Sequence, residues 1–225
     1  MSDRIAFLRK TYAHLGVALL AFAAIAGGMM RFAPETSFSF SKWAFSGGWN
    51  WLIVLGAFML VGWLAERLAM SETSRGLQYV GLFVFVFAFA MILQPILWVL
   101  LLRFGGAGAL SIVSQATVIT LTIFAGLTLT VFLTKKDFSF LRGVLTVCSF
   151  AALGVIIASI AFGFTLGAFF AGLMILLMSG YILFQTSVIM KEFPPTAYVA
   201  AALMLFSTIA TMFWYVLRLL MSLRE

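Results

Sequence analysis

Reactive side chains are scarce in this sequence of 225 residues. It contains one cysteine, Cys148, and one histidine, His14, and its Asp and Glu residues together number 7. A single cysteine cannot form an internal disulfide, so we interpret Cys148 as a small residue within an apolar run. One histidine without a cysteine pair offers little from which to build a metal site, and we predict neither a metal nor a cofactor.

The same scarcity argues against enzyme chemistry. An intramembrane serine protease needs a serine that faces a histidine inside the membrane, but His14 lies at the edge of the first apolar run, and there is no Gly-x-Ser-x-Gly motif. An aspartyl protease of the membrane needs two buried aspartates, but Asp3 and Asp137 both lie in polar segments. A Walker-type phosphate loop is absent as well. We therefore expect no enzyme activity.

Apolar residues, by contrast, dominate the chain. Hydrophobic residues make up 64%, charged residues 9%, and the mean hydropathy is +1.16. No soluble domain of this size buries so much apolar surface, so the composition predicts an all-α polytopic membrane protein whose solvent is the lipid bilayer. The net charge of +7 is dispersed rather than clustered, which argues for membrane topology and against nucleic-acid binding.

Seven apolar runs are long enough to cross a bilayer, and they predict one seven-helix domain over residues 1–225. The first run is too long for a typical signal peptide, so we interpret it as a membrane helix. Pro95 should kink the third span, and a glycine-rich turn at 105–108 should close it. The predicted spans are 11–31, 49–68, 77–102, 110–134, 141–162, 166–190 and 197–221.

Polar residues within the last two spans mark helix faces that turn inward, because bare polar groups are costly in hydrocarbon. Gln185 and Thr208 lie among them, and Thr186, Ser207 and Thr211 could extend a polar pathway along the two helices. Hydrogen bonding between helices of a closed bundle is the alternative. Small residues at seven-residue steps, Gly172, Ser179 and Thr186, predict a seam of close helix approach on the sixth span.

The distribution of basic residues predicts an orientation. One side of a seven-span protein would carry nine Lys and Arg residues, and the other side five. The nine are Arg4, Arg9, Lys10, Arg67, Arg75, Lys135, Lys136, Arg142 and Lys191, and the five are Arg31, Lys42, Arg103, Arg218 and Arg224. The positive-inside rule then places the N-terminus in the cytoplasm and the C-terminus outside.

Several segments resemble the Bax inhibitor-1 family. The clearest is 133–143, LTKKDFSFLRG, which is similar to that family's loop TTKKDFSFLGG. Segments 8–12, 179–184 and 198–206 are also similar, and 93–97 (LQPIL) matches the family's Gly-Pro-Ile-Leu with glutamine in place of glycine. The resemblance covers nearly the whole chain and implies a seven-helix fold with the last helix in the middle.

The resemblance also implies a mechanism that this chain lacks the residues to perform. Relatives leak calcium in a pH-sensitive manner through two aspartates, which fall here on Gln185 and Thr208. Neither side chain ionises, so neither provides titration near neutral pH or a fixed charge for a divalent cation. In this respect the chain is similar to the YccA-like bacterial branch, which is associated with a membrane-anchored AAA protease of the inner membrane.

Two hypotheses about function follow. In the first, the chain is a bacterial inner-membrane protein that binds or modulates a membrane-anchored AAA protease or another membrane assembly. Its docking candidates would then be the residues of the loop at 133–143 that carry charge, namely Lys135, Lys136, Asp137 and Arg142, unless those charges serve only topology and lipid headgroups. In the second, it is a cation leak whose polar path follows the sixth and seventh helices.

Overall fold

The computed structural model describes residues 2–71 and 74–224, and these residues form seven helices and no strand. Six of the helices are long and apolar enough to cross a membrane, which confirms the prediction of an all-α polytopic membrane protein. The helices are α1 (Ser2–Phe32), α2 (Pro34–Phe45), α3 (Gly48–Ala69), α4 (Arg75–Thr134), α5 (Leu141–Phe162), α6 (Ala168–Lys191) and α7 (Tyr198–Ser222).

The helix α4 contains 60 residues, far more than one span requires. Its backbone leaves helical geometry at Gly105, where φ is 68° and ψ is 174°, a conformation that glycine adopts without a steric penalty. The predicted glycine turn is therefore confined to one residue, because Gly106 and Gly108 remain helical. Residues 75–104 and 106–134 are each long enough to cross the bilayer, so the described chain holds seven span-length segments.

The short helix α2 was not predicted. Its sequence, PETSFSFSKWAF, has little apolar continuity and lies between the first two predicted spans. Pro34 occupies its first turn, where the missing N–H costs nothing. At 12 residues, or about 18 Å, it is too short to span a bilayer.

The chain divides into two compact units. The first contains the described residues of 1–103 together with 193–206, and the second contains 104–192 together with the described residues from 207 onward. The division falls within α4 and within α7, which is the most buried of the candidate spans. Burial of this extent is what we expect of a last helix that packs among other helices.

Phenylalanines form the core of the first unit. The fully buried ring of Phe206 on α7 lies 5.7 Å from Phe22 on α1 and 5.6 Å from Phe89 on α4, measured between ring centroids. Phe85 and Phe89 are 5.1 Å apart and nearly perpendicular. Edge-to-face pairs of this kind add about 0.5–1.5 kcal/mol each beyond burial of their area.

In the second unit, α5 packs on α6 through a glycine, although not the glycine that we predicted. A Cβ at Gly180 would lie 2.7 Å from Cδ2 of Leu145, whereas a Cβ at Gly172 would meet nothing within 4 Å. One turn along α5, the hydroxyl oxygens of Ser149 and Tyr181 are 2.9 Å apart. The predicted seam was therefore wrong at Gly172, whereas its third residue, Thr186, is fully buried. Seven-residue spacing alone does not identify which small residue faces a neighbour.

In the first unit, α3 and α4 approach each other closely at Gly81. A Cβ at this position would lie 2.6 Å from the carbonyl oxygen of Ala65 and 2.9 Å from the backbone nitrogen of Ala69. Both are backbone atoms of α3, so they cannot rotate away. Gly81 therefore allows the two helices to pack at this distance.

We predict that Gly81→Ala destabilises the protein by about 1–3 kcal/mol, because the extra methyl group forces α3 and α4 apart. Gly56→Ala on α3 is the matched control, since a Cβ there meets nothing within 4 Å. It should be neutral or stabilising by up to about 1 kcal/mol. Thermal unfolding in detergent micelles measures both, and equal behaviour of the two variants would contradict the proposed contact.

Candidate functional site

Gln185 and Thr208 face each other in the second unit. The Thr208 hydroxyl on α7 donates a hydrogen bond to Oε1 of Gln185 on α6, with 2.9 Å between the oxygens. Both side chains are buried, at 7% and 4% exposure. The structure thus brings together the two positions that the sequence singled out, and it joins them by a neutral hydrogen bond.

The other predicted pathway residues, Thr186, Ser207 and Thr211, lie on the same two helices as this pair. Thr211 donates to the Ser207 carbonyl of its own helix at 2.8 Å, and the side chains of both residues are half-buried. Thr186 is fully buried, and its hydroxyl has no hydrogen-bond partner among the described residues. Bonding of Thr211 to its own backbone is the usual state of a hydroxyl within a membrane helix.

The loop between α4 and α5, together with the first turn of α5, presents the predicted docking residues at the surface. Lys135, Lys136, Asp137 and Arg142 are all exposed. Lys135 directly follows the last residue of α4 and has a φ of 53°. Its N–H donates to the Val131 carbonyl at 2.9 Å. A left-handed residue at this position caps a helix, although glycine is the usual choice because it has no Cβ.

Asp137 holds this loop against the end of α6. Its Oδ1 accepts the Ser139 N–H at 2.9 Å, and its Oδ2 lies 3.3 Å from Nζ of Lys191. The Ser187 hydroxyl lies 3.4 Å from Oδ1 and accepts the Phe138 N–H at 3.1 Å. The sequence motif marks Asp137 but gives no sign of its partners Ser187 and Lys191. These two residues are about 50 residues away and become its neighbours only in the folded chain.

The electrostatics of the loop favour an ionised Asp137. The Ser139 N–H, then the Ser139 hydroxyl and Lys191, lower the pKa of Asp137 to about 2 from its ordinary value of 3.8. Across the loop, the Arg142 guanidinium lies 5.9 Å from the centroid of the Phe184 ring on α6. The carboxylate of Asp137 therefore binds groups of the protein itself, whereas Lys135 and Lys136 are exposed to solvent.

Metal-ligating side chains do not gather anywhere in the described part of the chain. Within residues 2–71 and 74–224, no group of three or more His, Cys, Asp or Glu side chains is placed to share an ion. The exposed Cys148 and the single His14 lie in different units. The described residues thus hold a neutral hydrogen-bonded pair within the last two candidate spans, and an exposed basic loop.

Fold and site together define a polytopic α-helical membrane protein that has a short polar contact between its last two helices. A family model described as "Inhibitor of apoptosis-promoting Bax1" matches residues 4–225. The chain belongs to the Bax inhibitor-1 family, as its motifs indicated.

Two relatives bear on this assignment. The chain is 31% identical over 224 residues to Bax inhibitor 1 of Schizosaccharomyces pombe, an alignment that covers 97% of this chain and 77% of that protein. It is also 32% identical over 82 residues to the uncharacterized protein PA2604 of Pseudomonas aeruginosa, covering 36% of this chain and 34% of that protein. The first alignment supports the family over nearly the full length, and the second covers only about a third of each chain.

We predict that Asp137→Asn loosens the loop in a pH-dependent manner. Because folding lowers the pKa of this carboxyl, its stabilising contribution is present above about pH 4 and is lost as the pH falls toward 2. Hydrogen exchange of the peptide 135–140 should therefore be faster in the variant than in the wild type at neutral pH, and the difference should shrink below pH 4. Glu192→Gln, which removes a nearby exposed charge, is the control, and an equal effect of both variants would contradict the role of Asp137.

Proposed function

We propose that this chain is a non-enzymatic protein of the YccA-like bacterial branch that binds and modulates a membrane-anchored AAA protease or another inner-membrane assembly. The observation that carries this proposal is the neutral hydrogen bond between Gln185 and Thr208. In relatives that leak calcium, the equivalent positions hold the two aspartates of the pH sensor. Here the pair cannot ionise, so the charge-based function of that site is missing.

A buried amide–hydroxyl pair has a structural explanation. Two facing carboxylates would repel each other and would raise the pKa of one of them, which makes such a pair responsive to pH. Here the Thr208 hydroxyl instead donates to the Gln185 carbonyl oxygen, and a hydrogen bond between membrane helices contributes about 0.6 kcal/mol and at most ~1.7 kcal/mol. This contribution to the contact between α6 and α7 is the same at any physiological pH, because neither side chain ionises. A contact that does not respond to pH suits a rigid binding partner better than a pH-gated leak.

The loop of residues 135–142 supplies a surface for such a partner. Asp137 and Ser187 hold its backbone in place, while Lys135, Lys136 and Arg142 remain exposed. An ordered backbone lowers the entropic cost of binding, and a cluster of like charges steers an acidic partner toward the loop. The proposal therefore assigns partner recognition to the surface of the second unit.

Orientation and location belong to the same proposal. The excess of basic residues on the side of this loop supports a cytoplasmic N-terminus and an external C-terminus. The bacterial inner membrane follows from the proposed branch. The short helix α2 does not change this argument, because it cannot cross the bilayer. A cytoplasmic loop would face the soluble domains of a protease anchored in the same membrane.

We expect that Lys135→Glu with Lys136→Glu weakens binding of the protease by about tenfold or more, since like charges across an interface cost more than ~1.4 kcal/mol. Arg9→Glu with Arg75→Glu is the matched control, because both arginines are exposed on the same predicted side but lie in the first unit. The measurement uses both proteins in nanodiscs and records complex formation and the degradation rate of a membrane substrate. Unchanged binding in the lysine variant, with correct insertion, would remove the docking role of the loop.

A cation leak along α6 and α7 is the second candidate. The observation that favours it is the hydroxyl of Thr186, which is fully buried next to Gln185 and has no hydrogen-bond partner among the described residues. An unsatisfied polar atom in hydrocarbon is costly, and a passing ion or water could satisfy it. The direct bond between Gln185 and Thr208 opposes this function, since a conducting state would have to open it.

Calcium flux separates the two candidates. We expect proteoliposomes that contain the wild type to show little flux, and none that changes between about pH 6 and 8, because neither residue of the pair titrates. Gln185→Asp combined with Thr208→Asp should introduce pH dependence, and each single change should do less, because a lone buried carboxyl stays protonated. A strong pH-dependent flux in the wild type would favour the leak and would show that another group gates it.

A further inference from the structure

The helix α2 presents three chemically different faces. Its buried face consists of small residues at i, i+4 and i+7, namely Ser37, Ser41 and Ala44, whose exposure is at most 4%. Every aromatic side chain of the helix is therefore excluded from this face. Aromatic residues of a soluble amphipathic helix would normally occupy the buried face, so the pattern of α2 is reversed.

Hydrogen bonds attach the buried face to the membrane-spanning part of the first unit. The Ser37 hydroxyl donates to Oε1 of Gln94 at 2.7 Å and accepts the Trp98 Nε1–H at 2.8 Å. Gln94 in turn donates to the Ala26 carbonyl of α1 at 3.3 Å. Because Ala26 lies almost two turns before the end of α1 at Phe32, the buried face of α2 points toward the bilayer interior.

The opposite face of α2 is polar. Glu35, Ser39 and Lys42 are exposed, and at 100° per residue they lie roughly 140–160° around the helix from Ser37. If the buried face points into the membrane, this polar face points away from it, toward water. The helix therefore lies across the end of the first unit, at the level where the spans α1 and α3 meet the aqueous phase.

Aromatic side chains project from both flanks of α2. Phe38 and Phe45 lie on one flank and Trp43 on the other, and they are 40–49% exposed although Phe38 also packs on Trp98. The residues that border the helix, Phe32 and Trp49, are 87% and 80% exposed. We call these five residues the aromatic collar.

We propose that the aromatic collar binds the headgroup region of the lipid bilayer and fixes the depth of the first unit in the membrane. Tryptophan and other aromatic rings prefer this region because one part of the ring is apolar and its edge is polar. The collar is continuous with the exposed apolar surfaces of α1 and α3. The helix α1 ends at Phe32, and α3 begins beside Trp49. Lys42, on the outer face, has the reach to contact lipid phosphates.

The connections of α2 support a lipid partner rather than a protein partner. One residue, Ala33, joins it to α1, and two residues, Ser46 and Gly47, join it to α3. Such short connections keep the collar at the ends of two spans, where headgroups necessarily surround it. This inference does not depend on the proposed function.

Fluorescence of labels at single cysteines tests the position of the collar. In a Cys148→Ser background, an environment-sensitive fluorophore is attached at Phe32→Cys, Trp43→Cys or Phe45→Cys, in liposomes of zwitterionic and anionic lipid. We expect blue-shifted emission that headgroup nitroxide lipids quench more strongly than mid-chain nitroxide lipids do. Phe32→Cys leaves the aromatic residues of α2 itself unchanged and so reports on an intact helix.

Two control positions show the quenching expected in water and in the hydrocarbon core. Ser39→Cys on the polar face should be quenched by aqueous iodide, and Leu20→Cys, 74% exposed on α1, should be quenched best by mid-chain nitroxides. Thermal unfolding of each labelled variant verifies that it is folded. Iodide quenching without lipid quenching at positions 32, 43 and 45 would overturn the proposal and leave the collar to a protein partner. Preferential mid-chain quenching would overturn it as well, because the collar would then lie in the hydrocarbon core.

Discussion

Hydrocarbon offers no hydrogen bonds, so a polar group buried in this protein is stabilised where it finds a partner within the protein. Two glutamines illustrate this constraint. Gln94 in the first unit uses its oxygen for Ser37 and its amide for the carbonyls of Ala26 and Ala90. Gln185 in the second unit accepts the Thr208 hydroxyl. Each amide therefore selects the helices that can pack beside it, because a wrong neighbour would leave it unsatisfied.

Close packing follows a second constraint, since lipid chains are as apolar as the helices and provide no hydrophobic drive for association. The helices instead gain contact where a glycine admits a neighbour. Gly81 lets the backbone of α3 approach α4, and Gly180 accepts the side chain of Leu145. The two sites differ in tolerance, because Leu145 can change rotamer whereas the α3 backbone cannot. Dispersion contacts and hydrogen bonds then act together to specify the neighbours within each unit.

These constraints connect the fold with the proposed function. At the two positions that the family resemblance assigns to ionisable aspartates, this chain has a hydrogen bond between neutral groups. Its ionisable groups instead lie at the surface, where Asp137 holds the loop and leaves Lys135 and Lys136 exposed. A protein organised in this manner is suited to recognition at the membrane surface, and the aromatic collar would hold its first unit at a constant depth.

The sequence alone determined the protein class and the ends of most spans, because long apolar runs bounded by charged residues are stable only as helices in a bilayer. Its motifs determined the family. It also marked Gln185 and Thr208, as polar residues within apolar spans and as matches to the family's aspartate positions. The helix α2, the partners Ser187 and Lys191 of Asp137, and the packing role of Gly180 rather than Gly172 were decided by tertiary structure. The physical reason is that a helix apolar on all sides carries no periodic signal of the face that meets a neighbour. In α2, similarly, the buried face is set by the hydrogen bonds of Ser37 and not by hydrophobicity.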